Sequence, residues 1–423
     1  MTLGANAEAE GKRKKGIKGK TILCRIPGFD VIKCIDLDLF HALVNVAKRF
    51  TSLWFGTKSA GKQYGIHGKI GEVDRRLLSI TPTSEVSRAP RSLTDRSDWR
   101  GHEWFYFVVI YSVPILKNIL KSKYLNHWSL LVHAISLLMQ NSVAKSEVAY
   151  AERYLNEFVC GIDDLYGAEN VTFSCHLLTH LTRSVEEFGQ PFTHSAFLYE
   201  SFNSEIKNAV KSSNGAMWQI CKGIQLKLAI QNLKVDAQSN LSPQQKEYLQ
   251  KMCVSGNKLV APHEVVGSAS LLGKPKRMTA SINVVQALCR AGADCDASTI
   301  LSLYDRCSVE GVIYHGKTYS RDSKNNNTVA LLNSNQVFQI EFFLVLNNQC
   351  YVLGHFYVEK INQKISDTVL PHLKVLNDSP EGTLRCILPS QLCSKLLFFT
   401  VKFSDQEILN IACINVLLSE MLS

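Results

Sequence analysis

Asp38 and His41 are the residues whose types and spacing most directly suggest site chemistry. They open a segment in which Phe40, Leu43 and Phe50 recur at the spacing of an α-helix. Side chains three positions apart lie on one face of a helix, so this carboxylate and this imidazole can meet. An aspartate in a first helical turn also serves as an ordinary cap, and from these two residues alone both interpretations stay open.

Five further segments accompany this pair in a fixed order along the chain. They read KGIKG at 15–19, IPGFD at 26–30, RSLTDRSDWR at 91–100, FSCHLLTHL at 173–181 and SAFLYESFN at 195–203. The ordered set resembles the C-terminal half of the large DDE transposases of CACTA-type (En/Spm-like) DNA transposons, as found in invertebrate genomes. The resemblance covers residues 15–211 and resumes at residues 309–358.

The resemblance implies an RNase H-like core in which three acidic side chains hold two divalent metal ions, Mg²⁺ or Mn²⁺, at a phosphodiester. Asp38 and His41 match the family's Asp-x-x-His motif, and Glu200 matches its third catalytic acid. The helical pattern between these positions matches a large all-helical insertion. On the same resemblance, Phe197, Phe202 and Ile206 would pack the helix that carries Glu200 against the core sheet.

One departure from the family concerns the other two acids. The family's first two catalytic aspartates precede the Lys/Gly-rich segment, and residues 1–14 contain no aspartate. A single acid cannot hold two metal ions, so Glu200 is a metal ligand only if the missing aspartates are supplied. We therefore expect a transposon-derived protein that is catalytically incomplete. The alternatives are a domesticated protein that binds DNA or a protein partner, and a fragment of an active transposase if Met1 is not the true start.

The amino-acid composition limits which classes of protein this chain can belong to. The 423 residues are 46% hydrophobic and 20% charged, which excludes a largely disordered chain. The formal net charge of +10 suits a polyanion, of which nucleic acid is the commonest, although mildly basic proteins with no such partner are common. The resemblance implies DNA as partner and a nuclear location. The 13 cysteines include no Cys-x-x-Cys pair, and we expect free, mostly buried thiols in a reducing compartment. We expect no secretory signal.

A basic run near the start of the sequence is a candidate nuclear-import signal or phosphate-contact arm. Its members are Lys12, Arg13, Lys14 and Lys15. A solvated, disordered tail is the alternative interpretation.

Arg91 and Arg96 are the other candidate DNA contacts, because arginines bind phosphates and the neighbouring Trp99 offers a ring on which a base can stack. The alternative, which we favour, is that Trp99 anchors a helical domain while the arginines pair with Asp95 and Asp98.

His176 and His180 have the i, i+4 spacing of two zinc ligands on a helix. No glutamate follows His176 and no third ligand is evident, so we favour capping and packing histidines on a core helix.

Along the chain, the pattern predicts an α+β protein that is mainly α with a C-terminal β module. On the resemblance, a partial RNase H-like core is interrupted by a large all-helical insertion. The predicted units are a basic disordered tail at 1–20, a remnant of the RNase H-like core at 21–80, the helical insertion domain with the Glu-bearing core helix at 81–233, a linker with short helices at 234–308, and a small antiparallel β module at 309–423. DNA or chromatin contact and homo-oligomerisation are the roles open to the β module.

Local patterns add detail to this organisation. Apolar residues at helical spacing predict an amphipathic helix at 147–165. Residues 104–116 and 128–139 are apolar but shorter than the roughly 18–20 residues of a membrane-spanning helix, so we expect buried helices and no membrane partner. A strand-like run occupies 21–26.

The C-terminal region contains short β-type runs separated by asparagine clusters. The predicted strands are 311–314, 328–332, 337–346, 350–358, 384–388 and 396–403. This spacing predicts an antiparallel meander or a small barrel.

Overall fold

The computed structural model describes residues 21–30, 34–240, 242, 244–245, 262–319, 324–404 and 407–414. The predicted basic tail at 1–20 lies outside the described residues, and with it Lys12, Arg13, Lys14 and Lys15. Helices account for 44% and strands for 21%, which confirms an α+β protein in which helices predominate.

Most of the helices lie within residues 39–240. The α-helices are α1 (Leu39–Phe55), α2 (Ile70–Leu78), α3 (Gly101–Tyr106), α4 (Ser112–Leu116), α5 (Ser122–Leu138), α6 (Lys145–Tyr166), α7 (Phe173–Leu177), α8 (Leu181–Phe188), α9 (Ala196–Ala209), α10 (Ala216–Asn240) and, further on, α11 (Ile282–Arg290). A π-helical segment, Phe107–Tyr111, joins α3 to α4. Short 3₁₀ turns lie at Ile22–Arg25, Thr57–Ser59, His67–Lys69, Leu93–Asp98, Ala168–Asn170, Leu178–His180 and Pro389–Gln391.

α1 is the central helix of the core. Asp38 caps it, because the Asp38 side chain accepts a hydrogen bond from His41 N at 3.3 Å. Phe40, Phe50 and Trp54 are fully buried on its inner face. The helix ends at Gly56, where a Cβ atom would lie 2.3 Å from Ser52 O, so the close turn requires glycine.

The predicted buried and amphipathic helices are confirmed. α6 buries its apolar stripe, including Val148, Leu155 and Phe158, and exposes its charged side. Every residue from 103 to 116 is buried, and α5 is buried along most of its length. Across the described ranges, no helix is both long and apolar enough to cross a membrane.

The strands lie between residues 264 and 414. They are β1 (Glu264–Val266), β2 (Ala269–Leu272), β3 (Lys276–Thr279), β4 (Ile300–Tyr304), β5 (Arg306–Val309), β6 (Val312–His315), β7 (Val329–Leu332), β8 (Val337–Leu346), β9 (Gln349–Tyr357), β10 (Leu373–Leu376), β11 (Arg385–Ile387), β12 (Leu392–Lys402) and β13 (Ile408–Ile414).

These strands form two antiparallel sheets. The smaller has the order β1-β2-β5-β6, and the larger the order β10-β13-β12-β7-β8-β4-β3, with β9 on β8 and β11 on β9. β8 pairs with three strands of the larger sheet. It pairs with β9 along one edge, and with β7 and then β4 along the other. The pairing is antiparallel, as predicted. The described strands form sheets rather than a closed barrel.

The strands predicted after residue 309 are confirmed, and β8 covers the predicted residues 337–346. Asparagine turns separate them because asparagine tolerates positive φ better than other non-glycine residues. Asn335 has φ 63°, and Asn347 and Asn348 have φ 50° and 58° in the β8–β9 turn.

Two secondary-structure predictions are wrong. The strand predicted at 21–26 is a 3₁₀ turn at Ile22–Arg25, because the Thr21 side chain caps it by accepting a hydrogen bond from Leu23 N. The linker with short helices predicted at 234–308 does contain one short helix, α11, but it also contains five strands, β1 to β4 and most of β5. β3 is exposed throughout, and β4 and β5 alternate buried and more exposed residues over only four positions, which is too short a run to identify a strand from the sequence.

The expectation of mostly buried cysteines is also wrong for the described residues. Twelve described cysteines are free, of which five are buried and six are exposed. Cysteines on amphipathic elements, such as Cys160 on α6 and Cys393 on β12, lie on the solvent side.

Part of the larger sheet shares a hydrophobic core with the helices. Leu373 of β10, Phe399 of β12 and Ile411 of β13 belong to the same buried cluster as the inner faces of α1, α5 and α6. The Tyr111 and Phe399 rings lie 6.1 Å apart, and His372 Nε2 donates a hydrogen bond to Val109 O at 2.9 Å. The edge of the larger sheet is therefore packed directly on the helices.

Candidate functional site

The candidate site begins with the capping residue of α1. Asp38 accepts a hydrogen bond from the backbone of His41, and its Oδ2 atom also contacts His41 Nδ1. The Asp38 side chain is 26% exposed and that of His41 is 56% exposed, so the pair is open to solvent. The contact expected from the i, i+3 spacing therefore exists.

α9 brings Glu200 to this pair. His41 Nε2 lies 3.2 Å from Glu200 Oε1, so one imidazole lies between two carboxylates. The N-terminus of α9 is held against the same aspartate, because Ala196 N donates a hydrogen bond to Asp38 Oδ1 at 3.4 Å across 158 residues of sequence. The three catalytic candidates identified by resemblance, Asp38, His41 and Glu200, thus form one cluster.

A second carboxylate–imidazole pair involves Asp36, which lies two residues before Asp38 in the sequence. His194 Nδ1 contacts Asp36 Oδ2, and Ser184 Oγ donates to the other oxygen of Asp36. His194 Nε2 faces Gly189 O at 3.3 Å. Neither Ser184 nor His194 was identified from the sequence. The signal that could have pointed to this second pair was the Asp-x-Asp spacing of Asp36 and Asp38 before a helix.

The two pairs share an electrostatic character. Each imidazole has oxygen acceptors near both ring nitrogens. His41 bridges Asp38 and Glu200, and His194 bridges Asp36 and a backbone carbonyl. Chemically, the cluster can tie α9 and the preceding segment to α1 through charge-assisted contacts.

The cluster does not match the acid set that a two-metal mechanism needs. The His41 ring separates the Asp38 and Glu200 carboxylates, whereas bridging metal ions require carboxylate oxygens that converge. Within the described ranges, no group of three His, Cys, Asp or Glu side chains is arranged to hold a metal ion. Mg²⁺ or Mn²⁺ therefore does not fit the described residues as they stand.

Arg91 is partly exposed, and its guanidinium is paired with a buried carboxylate. Its Nε and Nη2 atoms donate to the two oxygens of Glu103 at 2.6 and 2.9 Å. Burial alone would raise the pKa of Glu103, but the hydrogen bonds from Arg91 and from the backbone of Arg100 lower it below its usual value. The predicted arginine–carboxylate pairing is therefore formed with Glu103 instead of Asp95 or Asp98.

Arg96 and Trp99 complete this segment. Trp99 is 7% exposed, so it anchors the helical region as expected. Arg96 Nη1 donates to Leu93 O at 2.8 Å, and its side chain lines a surface hollow of about 390 Å³ beside Lys48 and Trp104. Of the two arginines, Arg96 has the more open surroundings.

His176 and His180 do meet, with 3.3 Å between their Nε2 atoms. Both side chains are exposed, so the prediction that they pack in the core is wrong. They belong to the short helix α7 and the 3₁₀ turn that follows it, whose buried contacts come instead from Cys175 and Leu178.

Comparisons with protein-family models, with curated proteins and with solved structures give no match to this chain.

Proposed function

We propose that this chain derives from the C-terminal half of a CACTA-like DDE transposase and acts by binding DNA in the nucleus. The observation that carries the proposal is the contact of His41 with both Asp38 and Glu200. These residues match two separate motifs of the family, and unrelated motifs have no reason to converge on one imidazole. The net charge of +10 is the expected balance for a polyanionic partner.

In this proposal, residues 21–80 and α9 are the remnant of an RNase H-like core, and the helices between them are its insertion. The packing of α9 against α1 supports this assignment, because the family's third acid lies on a helix that returns to the core after the insertion. The described part of residues 21–80 is helical, so the proposal does not rest on a core sheet.

Binding without cleavage is the activity that the described residues support best. Glu200 would be one metal ligand of the family's set, and further acids would have to approach it before two metal ions could bind. The alternative role, binding of a protein partner, is favoured only if the chain shows no salt-dependent affinity for DNA.

The test measures DNA binding and DNA cleavage by the same protein preparation. We expect affinity for duplex DNA that falls steeply with salt, is unaffected by metal chelation and is unchanged by Glu200→Gln. Asn203→Ala, on the same helix, is a control for damage to α9. Strand cleavage that requires Mg²⁺ or Mn²⁺ and disappears in Glu200→Gln would show an active enzyme and overturn the proposal of binding alone, whereas absence of DNA binding at low salt would overturn it altogether.

A further inference from the structure

α9 and α10 form a helical hairpin that extends beyond the shared core. The turn between them is held by the Gln219 side chain, which accepts a hydrogen bond from Lys211 N and donates one to Asn214 O, both at 2.7 Å. The helices approach closely at Gly223, where a Cβ atom would lie 3.1 Å from Ala209 Cβ. The hairpin is therefore a defined structural element.

Its outer surface exposes aromatic rings. Trp218 of α10 is 66% exposed and Phe202 of α9 is 45% exposed. The resemblance predicted that Phe202 packs against a core sheet, and this is wrong, because α9 lies against α10 and α1 instead. Exposed aromatic rings offer π-faces on which a ligand can stack.

Each of these rings has a lysine beside it. Lys222 Nζ lies 4.7 Å from the centre of the Trp218 ring, and Lys227 Nζ lies 5.9 Å from the centre of the Phe202 ring. Residues 206–233 contain four lysines, these two together with Lys207 and Lys211, and no acidic residue. The acids of the hairpin, Glu200, Glu205 and Asp236, lie outside this run.

We propose that the α9–α10 hairpin is a docking surface for single-stranded DNA, with unpaired bases stacked on Trp218 and Phe202 and phosphates bound by the lysines. Exposed aromatic rings bind bases through their π-faces, and these faces are accessible only where bases are unpaired. The four lysines of residues 206–233 supply positive charge that complements the phosphate backbone, while Glu200 and Glu205 flank Phe202 in the sequence. This inference rests on the proposed DNA-binding function and specifies its surface and the form of DNA.

Trp218 also provides a fluorescence signal for binding at this surface. The chain has five tryptophans, and the other four, Trp54, Trp99, Trp104 and Trp128, are buried. Long-wavelength fluorescence that is accessible to acrylamide therefore arises from Trp218. A base stacked on this ring would quench that emission and protect it from acrylamide.

The experiment titrates the full chain with an oligothymidylate strand and, separately, with a blunt duplex of mixed sequence. We expect the single strand to quench the accessible emission, and Trp218→Leu to weaken single-strand binding by about 5- to 150-fold, which corresponds to about 1–3 kcal/mol per stacked base. Duplex affinity should change less than twofold. The double variant Lys222→Gln/Lys227→Gln should lower the salt slope for the single strand by about 1.4, because each neutralised phosphate contributes about 0.7.

Tyr150 of α6 provides the matched control. It is a 53% exposed aromatic residue with the Arg153 guanidinium 5.4 Å from its ring centre, and it lies among the acidic residues Glu147, Glu152 and Glu157. Tyr150→Leu should leave single-strand binding unchanged. Unaltered circular dichroism and thermal midpoints would show that all variants are folded.

Three outcomes would overturn the inference. In the first, duplex DNA binds and Trp218→Leu binds the single strand as tightly as the unmodified chain, which rejects the surface and leaves the proposed function standing. In the second, Trp218 becomes protected as protein concentration rises without DNA, which assigns the hairpin to a second copy of the chain. In the third, neither form of DNA binds, which rejects both proposals together.

Discussion

Phe50 and Phe202 illustrate two regions of this molecule that use the same kind of residue in opposite ways. Phe50 is fully buried, and its ring lies within 6.3 Å of the rings of Trp54, His127, Trp128, Phe158 and Tyr166. Phe202 lies on the α9–α10 hairpin and is 45% exposed. Aromatic side chains stabilise the first region by packing, whereas in the second they remain available for a ligand.

The same contrast holds for charged and titratable residues. Arg76 is 3% exposed beside the half-exposed Arg75, and His127 and His372 are buried while His41 is open to solvent. Residue type therefore does not determine role in this protein, and matched pairs of substitutions can measure the difference.

The largest effect should come from acid, because it acts on several buried histidines at once. Burial lowers the pKa of His127 and of His372 to about 4, compared with about 6.5 in an unfolded chain. Between these values the unfolded chain binds more protons, so the stability present above pH 6.5 is lost as pH falls towards 4. Each histidine contributes at most about 1.4 kcal/mol per pH unit.

Urea unfolding at pH 7.5, 6.5, 5.5 and 4.5 would measure this dependence. His127→Gln and His372→Gln should each flatten the profile, whereas the exposed His180→Gln should leave it unchanged. A free energy of unfolding that stays constant from pH 7.5 to 4.5 would contradict the prediction.

Truncation of the aromatic core comes next. Phe50→Ala should reduce the free energy of unfolding by about 3–5 kcal/mol, because it removes a ring from a fully packed cluster and leaves a cavity. Phe202→Ala should change it by less than about 0.5 kcal/mol, as expected for an exposed position. Chemical denaturation of the two variants side by side makes the comparison, and equal losses would show that the hairpin is part of the core.

The buried arginine should have an intermediate effect. Arg76 Nη1 donates to Ile115 O at 2.9 Å and to Lys117 O at 2.7 Å, and its guanidinium lies 4.8 Å from the centre of the Phe403 ring. Arg76→Met leaves those carbonyls without this donor and should cost about 1.5–3 kcal/mol. Arg75→Met, at the exposed neighbouring position, should cost less than about 1 kcal/mol in the same denaturation assay. Similar costs would mean that burial of Arg76 does not matter.

The smallest effect on stability should come from the candidate site itself. The His41 and Glu200 side chains are each more than half exposed, and exposed ion pairs contribute about 0–1 kcal/mol. Glu200→Gln should therefore change the free energy of unfolding by less than about 1 kcal/mol, with a smaller difference still at high salt. A loss above about 2 kcal/mol would show that the contact between α1 and α9 is a principal support of the fold.

Much of the secondary structure could be predicted from local patterns. The apolar period of 147–165 predicted α6, and the apolar run at 337–346 followed by Asn347 and Asn348 predicted β8 and its turn. Strands β1 to β4 were missed because each spans only three to five residues, too few for a period to stand out, and such strands are specified by the strands they pair with.

The candidate site was predictable in part. The i, i+3 spacing of Asp38 and His41 was enough to expect their contact, because helix geometry alone brings them together. The resemblance supplied Glu200 as a candidate, but nothing local indicates that it reaches His41. Ser184 and His194 were missed for the same reason, since their contacts with Asp36 depend on how α8 and the segment before α9 pack.

By itself, the sequence determined the helical first part, the asparagine-punctuated strands, the positive charge and the Asp38–His41 pair. These features depend on residues only a few positions apart in the sequence. The geometry of a helix or a strand determines where the side chains of such residues lie relative to one another. Only the tertiary structure decided that His41 lies between two carboxylates, that Arg76 is buried beside an exposed Arg75, and that Trp218 alone among five tryptophans faces solvent. Burial and long-range contact are set by every element that packs around a residue, and no short stretch of sequence contains that information.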